Sequence, residues 1–351
     1  MVTARIVGHG QALPPAMDHA AVWDEFFVRH YDGNPTAEKV WRSAGITTRH
    51  AAVDPRVEDV SSWGTGARMR RFVDEALPLG HEAVAKALAD AGVAAEDVGL
   101  LAVVSCTGYA TPGLDILLAR DLGMSPDVQR LHIGHMGCYA AIPGLGAVSD
   151  FVQARGKPAV LLCVELTSLH LQPPTDSLQQ MVAHALFADA AAAVVLVPVS
   201  DGDARDGLDV IDVSARTDAS TLDHMTWEVT DLGFRMGLSP KVPDVLARHA
   251  RPVADALLGA HGLTVGDVGG WAIHPGGRRI VEVVAEQLGL APADVAPSYE
   301  VLRDAGNCSS ATVLLVLQRL LATTPPPRDA PVVAMAFGPG LTLYSALLRQ
   351  R

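Results

Sequence analysis

The chain has 351 residues, 49% hydrophobic and 19% charged, a composition that supports a large folded core and argues against disorder. Its formal charge is −12, which disfavours nucleic acid or an anionic membrane as the main partner. The four cysteines, Cys106, Cys138, Cys163 and Cys308, form no CxxC pair, so a zinc ribbon, a redox dithiol or a disulfide scaffold is not expected.

The segment Met1 to Ile6 shows no signal-peptide core, and no apolar run reaches 18 residues. A cytoplasmic chain without integral membrane association is therefore expected. In chain order, the first amphipathic helix is read at Leu79 to Ala91, followed by a buried strand over Leu100–Val104. Further buried strands are read at Ala159–Val164 and Ala191–Val197, apolar on both faces. A helix over Val242 to His261 precedes short strands at Trp271–Ile273 and Val332–Ala336. Strands alternating with helices place the chain in the α/β class.

The chain repeats itself at a spacing of about 170 residues. Ala91-Gly92-Val93 to Gly99 resembles His261-Gly262-Leu263 to Gly269, and Leu122-Gly123-Met124-Ser125-Pro126 resembles Leu288-Gly289-Leu290-Ala291-Pro292. Gly137-Cys138 then aligns with Gly306-Asn307, and Pro158 to Leu166 with Pro331 to Leu341. Two copies of one α/β unit are thus expected, with Cys138 and Asn307 at equivalent helix openings. Such an opening favours a thiolate. No Asp or Glu lies between Asp127 and Asp150, so the Cys138 segment reads as buried.

His274 follows the strand Trp271–Ile273 and precedes Pro275-Gly276-Gly277, where it can project into a site. Cys138, His274 and Asn307 make a plausible nucleophile, base and oxyanion-donor set. A protonated His274 beside Cys138 would form a thiolate–imidazolium pair. The glycines of Phe337-Gly338-Pro339-Gly340 allow close backbone approach to that set.

These pieces, with Ala185-Leu186-Phe187 and Asn307-Cys308-Ser309-Ser310-Ala311, resemble the type III polyketide synthases. This is the chalcone-synthase-like branch of the thiolase superfamily, here of the bacterial alkylpyrone or alkylresorcinol type. The resemblance runs from about residue 30 to 346. It implies a five-layered αβαβα fold in two duplicated halves, 1–205 and 206–351, and a homodimer. It also implies that Cys138 carries an acyl starter taken from CoA, a fatty acyl group being expected, while His274 keeps Cys138 ionised. His274 and Asn307 would hold the carbonyl of malonyl-CoA or methylmalonyl-CoA during decarboxylation. Phe187 would gate the cavity.

Cys106, Thr107, Thr167, His170, Trp227, Met236, Ser309, Gly338 and Pro339 match the family's cavity wall. Trp227 stands where plant relatives carry a small residue, which points to a narrowed or redirected cavity and an aliphatic starter. His170 is also unusual at its position and is read either as a hydrogen-bond partner for an intermediate or as packing. Lys39, Arg42, Arg278 and Arg279 are candidates for the CoA phosphates. No cofactor or metal is implied beyond the CoA thioesters themselves. An acyl carrier protein is a further candidate partner. Two alternatives stay open: a single-condensation ketosynthase or acyltransferase of the 3-oxoacyl-carrier-protein synthase III kind, and a degenerate acyl-binding scaffold.

Overall fold

The structure is a computed structural model that describes residues 2–200 and 202–351. Its first half contributes β1 (Thr3–Ala12), β2 (Leu100–Ser105), β3 (Gln129–Gly134), β4 (Ala159–Glu165) and β5 (Ala190–Val199). The second contributes β6 (Leu208–Thr217), the hairpin β7 (Met225–Thr230) and β8 (Gly233–Leu238), then β9 (Gly270–Ile273), β10 (Pro331–Gly338) and β11 (Thr342–Gln350). The main helices are α1 (Pro35–Arg42), α2 (Thr65–Ala91), α3 (Leu114–Asp121), α4 (Ala141–Arg155), α5 (Leu178–Leu186), α6 (Val242–Gly259), α7 (Arg278–Leu288), α8 (Ala296–Ala305) and α9 (Ala311–Thr323).

Among the described residues, the main sheet has nine strands in the order β9-β10-β11-β6-β1-β5-β4-β2-β3. The duplication is visible in the pairing. In the first half β2 runs parallel to β4, β4 antiparallel to β5, and β5 antiparallel to β1. In the second, β9 runs parallel to β10, β10 antiparallel to β11, and β11 antiparallel to β6. The two half-sheets meet only through Arg5↔Asp209 and Ile6↔Leu208. That seam is held by a buried ion pair, Arg5 Nε to Asp209 Oδ1 at 2.6 Å.

Helices α4 and α9 lie between the half-sheets and touch strands of both. Helix α2 covers the outer face of β1, β4 and β5, while α6 covers β6 and β11. Three buried clusters follow from this layering. One lies under α2, one surrounds α4 and α9, and one lies under α6 and α7. Strands β2 and β4 are buried along their whole length because helices cover both faces, which explains their unbroken apolar sequence.

Helix α2 starts at Thr65, well before the expected Leu79, and runs through Pro78. Charged Arg68, Arg70 and Arg71 hid this first part from a hydrophobicity reading. Arg68 is fully buried and donates to the carbonyls of Trp63, Leu171 and Ser61, among others. The repeat also differs between the halves in one connection. β10 and β11 are joined by a tight turn, but β4 and β5 are separated by 166–189, which carries α5 and Phe187. No helix among the described residues is long and apolar enough to cross a membrane.

Candidate active site

Cys138 sits in a turn closed by Ala140 N–H to Gly137 O, three residues before α4 begins. Asn307 sits four residues before α9 begins. The preceding glycines match, with φ of 82° at Gly137 and 78° at Gly306. The second turn is one residue longer, and Ser309 takes the left-handed region at φ 49°. The repeat thus aligns glycine with glycine, and the extra residue is absorbed at Ser309.

His274 follows β9 and is 1% exposed. Cys138, His274 and Asn307 all line one cavity of about 490 Å³, together with Phe187. Neither ring nitrogen of His274 has a hydrogen-bond partner among the described residues. A buried imidazole with two free nitrogens is costly unless a ligand completes it. Burial pushes His274 down to about 3. Burial also pushes the Cys138 thiol up to about 12, partly countered by a hydrogen bond from Ser309. Desolvation therefore opposes the expected resting ion pair.

The Asn307 amide is oriented by its own loop. Its Oδ1 accepts from Ser309 N–H at 2.9 Å, and its Nδ2 donates at 3.4 Å to Gly276 O. The Nδ2 face therefore turns toward the His274 loop and the cavity. The Asn307 backbone also bridges the gate: its N–H donates to Leu186 O and its carbonyl accepts from Ala188 N–H, both at 2.9 Å. Phe187 is thus fixed between two bonds to a catalytic candidate.

The expected cavity-wall residues divide between two smaller spaces behind Phe187. Cys106, Thr107, Thr167, Trp227, Met236, Ser309 and Pro339 line an inner chamber of about 20 Å³ that Cys138 also faces. Trp227 is pinned there by Nε1 donating to Cys106 O at 2.7 Å. His170 does not face the chamber, and both its nitrogens are used. Its Nε2 donates to Thr107 O at 2.6 Å and its Nδ1 accepts from Phe234 N–H at 2.9 Å. Its ring also stacks on Phe234 at 4.5 Å.

Gly338 works by close approach. A Cβ there would meet Tyr139 Cδ1 at 2.7 Å and the Cys138 backbone nitrogen at 3.4 Å. Gly338→Ala should displace the Cys138 turn, lowering thermal stability by about 1–3 kcal/mol and lowering Cys138 alkylation and turnover with it. A variant with wild-type melting and alkylation rates would show that the turn tolerates the methyl group.

Arg278 and Arg279 open α7 at the rim of the 490 Å³ cavity. Helix α1 reaches the same rim through Val40, with Ser43 and Ala44 just beyond its end. Its start is fixed by Asn34 Oδ1 accepting from Thr36 and Ala37 N–H, with Pro35 as first residue. Arg42 of α1 turns away to Glu38 and Asp24, and Lys39 is exposed without lining the cavity. Two of the four expected cations therefore stand at the mouth.

Two buried acids escaped the sequence reading as site elements. Glu165 ends β4, is 0% exposed, and accepts from Thr107 Oγ1 at 2.7 Å, Ser310 Oγ at 2.5 Å and Cys106 N–H at 3.0 Å. Asp189 accepts from Ala52 and Ser168 N–H, each at 2.8 Å, and ties down the segment after Phe187. Burial raises both carboxyls. The available signal was an acid closing an unbroken apolar strand.

A buried Cys, His and Asn brought together by a duplicated five-layer α/β fold defines a thiolase-type condensing enzyme. The chain belongs to the chalcone and stilbene synthase family, matching its N-terminal domain over residues 39–199 and its C-terminal domain over 217–350. It is 36% identical over 312 residues to a 1,3,6,8-tetrahydroxynaphthalene synthase of Streptomyces peucetius, covering 88% of this chain and 81% of that one. It is 32% identical over 321 residues to the alpha-pyrone synthesis polyketide synthase-like Pks18 of Mycobacterium tuberculosis, with the same coverages. The structure of PKS-I from the brown alga Ectocarpus siliculosus superposes with a TM-score of 0.92 at 31% identity, covering 100% of this chain and 99% of the other. The chain is accordingly a type III polyketide synthase, an acyltransferase acting on CoA thioesters.

Proposed function

We propose that the enzyme loads an aliphatic acyl starter from CoA onto Cys138 and extends it with malonyl-CoA or methylmalonyl-CoA. The observation that carries this reading is the convergence of Cys138, Asn307 and an unpartnered His274 on one large, mostly apolar cavity. In the loading step the Cys138 sulfur attacks the thioester carbonyl and its proton passes to His274; as the tetrahedral intermediate collapses, the departing CoA sulfur takes that proton and leaves as the thiol. In the extension step the malonyl C–CO2⁻ bond breaks and its electron pair moves into an enolate. The enolate oxygen takes hydrogen bonds from Asn307 Nδ2 and the His274 ring. The enolate carbon then attacks the acyl carbonyl on Cys138, and the sulfur leaves. Return of the lengthened chain to Cys138 allows another round, and the finished chain closes to an alkylpyrone or a resorcinol-type ring.

Arg278 and Arg279 at the mouth, both paired with Glu282, are the cations placed to meet the phosphates of CoA. The halves divide at 205/206. Two copies pair through the edge strand β3, which has no outer neighbour among the described residues. Gln129, Arg130, Leu131 and His132 of β3 are exposed.

Incubation with malonyl-CoA and a panel of acyl-CoA starters, followed by mass spectrometry, tests the reaction. CO2 release with cyclised products carrying two or more extender units is the expected result. A single extended, uncyclised product would identify a one-step ketosynthase, and failure to release CO2 with any starter would leave only a binding scaffold.

A further inference from the structure

Behind the gate lies a third pocket, of about 70 Å³, distinct from the chamber that holds Cys138. Its far wall comes from a part of the chain with no catalytic residue: Met17, Val22, Phe27, Val53 and Val60. Its near wall is shared. Thr167, Phe187, Trp227 and Met236 line both this pocket and the Cys138 chamber. Helix α5 also separates it from the mouth. Leu178, Val182 and Leu186 face the outer cavity, whereas Gln180, Ala183 and His184 face the pocket. Spacing of four residues along one stripe and three to four along the other produces these two faces.

The polar groups around the pocket are already satisfied. Arg49 donates to the carbonyls of His184 and Phe187. His184 accepts at Nε2 from Gln172 N–H, which leaves Nδ1 to donate to Tyr31 Oη at 2.6 Å. Gln180 donates to Met236 O at 2.5 Å, Ser168 Oγ donates to Asp189, and Thr167 Oγ1 donates to Ala188 O. His170 has both nitrogens occupied. The pocket therefore offers a guest apolar surface and few free hydrogen bonds. A polar polyketide end would lose its water there without replacement, whereas an alkyl chain would gain by burial.

We infer that this pocket receives the alkyl tail of the starter acyl group, entering past Met236. The inference rests on the acyl-loading function proposed above and narrows its substrate class. Met236 is the wall best able to move, because a thioether side chain has several rotatable bonds. Trp227 is held by its indole hydrogen bond to Cys106 and stays. An apolar cavity of about 150 Å³ holds benzene, so 70 Å³ accommodates a tail of roughly three carbons. The favoured starter is a short aliphatic acyl group rather than a long fatty one.

The test compares kcat/KM for acetyl-, butyryl-, hexanoyl-, octanoyl- and dodecanoyl-CoA in wild type, Ala183→Leu, Ala51→Leu and Met236→Ala. Ala183 and Ala51 both line the pocket, so each leucine fills it from a different side. The wild type should peak at butyryl or hexanoyl. Each leucine variant should lower the hexanoyl-to-acetyl ratio by about tenfold or more, and Met236→Ala should raise the octanoyl-to-acetyl ratio. Using two filling variants guards against one that fails to fold. Starter ratios unchanged in the folded variants, or a wild-type optimum at dodecanoyl, would overturn the inference while Cys138 acylation still supports the enzyme's function. A wild type whose Cys138 is acylated by none of the five starters would overturn the functional reading itself.

Discussion

Cys138→Ala should abolish the acyl-enzyme: on incubation with an accepted acyl-CoA, the intact mass of the protein should stay unchanged, and polyketide formation should fall by at least about 10³-fold. The size of the effect follows from the lack of a substitute nucleophile. Cys163 lies within β4, and Cys308 is 0% exposed behind Asn307. Cys106 does face the chamber, with its Sγ 3.3 Å from Ser309 Oγ. Burial and the neighbouring Glu165 hold its thiol well above the ordinary range, and unlike Cys138 it does not line the cavity that His274 faces, its sulfur lying against Glu165 and Ser309. CO2 release from malonyl-CoA behaves differently, because His274 and Asn307 remain. It should persist at a reduced rate. A Cys138→Ala protein that still gains the mass of the acyl group would move the nucleophile to Cys106 and refute the assignment.

The meeting of Cys138, His274 and Asn307 in one cavity was legible because their positions are tied to the repeat. Equivalent glycines precede Cys138 and Asn307, and equivalent strands lead toward the two sites, so short local matches carried long-range information. Glu165 and Asp189 were not legible in the same way. Their roles depend on donors that are distant in sequence, such as Ser310 for Glu165 and Ala52 for Asp189. The protonation state of the Cys138–His274 pair was also hidden, since desolvation depends on how completely the halves close over the site. The side pocket is hidden most deeply. Met17 and Phe27 reach it only because the N-terminal segment packs against α5 and the β7–β8 hairpin, and nothing local at those residues announces a cavity. Trp227 shows both sides. Its place on the chamber wall agrees with the expectation, but the space beyond it could not be inferred from the residue itself.

Asn307→Ala should separate the two half-reactions. In the proposed mechanism loading uses Cys138 and His274, so acylation of Cys138 should stay within a few-fold of wild type. Decarboxylation needs a donor for the enolate oxygen, and loss of one such donor in a buried site costs about 10²–10³-fold in turnover. Malonyl-CoA decarboxylation and product formation should therefore fall together by that amount. The structure sharpens the comparison in two ways. The bridge to Phe187 runs through the Asn307 backbone, so alanine leaves the gate in place. The amide is held by Ser309 N–H on its oxygen, so in wild type its nitrogen is already aimed and little reorganisation is needed. Asn307→Asp keeps the shape and the bond to Ser309 but puts an acceptor where the donor stood. It should be at least as impaired as alanine in decarboxylation, because a carboxylate repels the enolate oxygen. Rapid-quench measurement of acyl-enzyme alongside CO2 release reads both steps in one sample. Equal loss of acylation and decarboxylation in Asn307→Ala would show that Asn307 holds the architecture of the site and is not the enolate's partner.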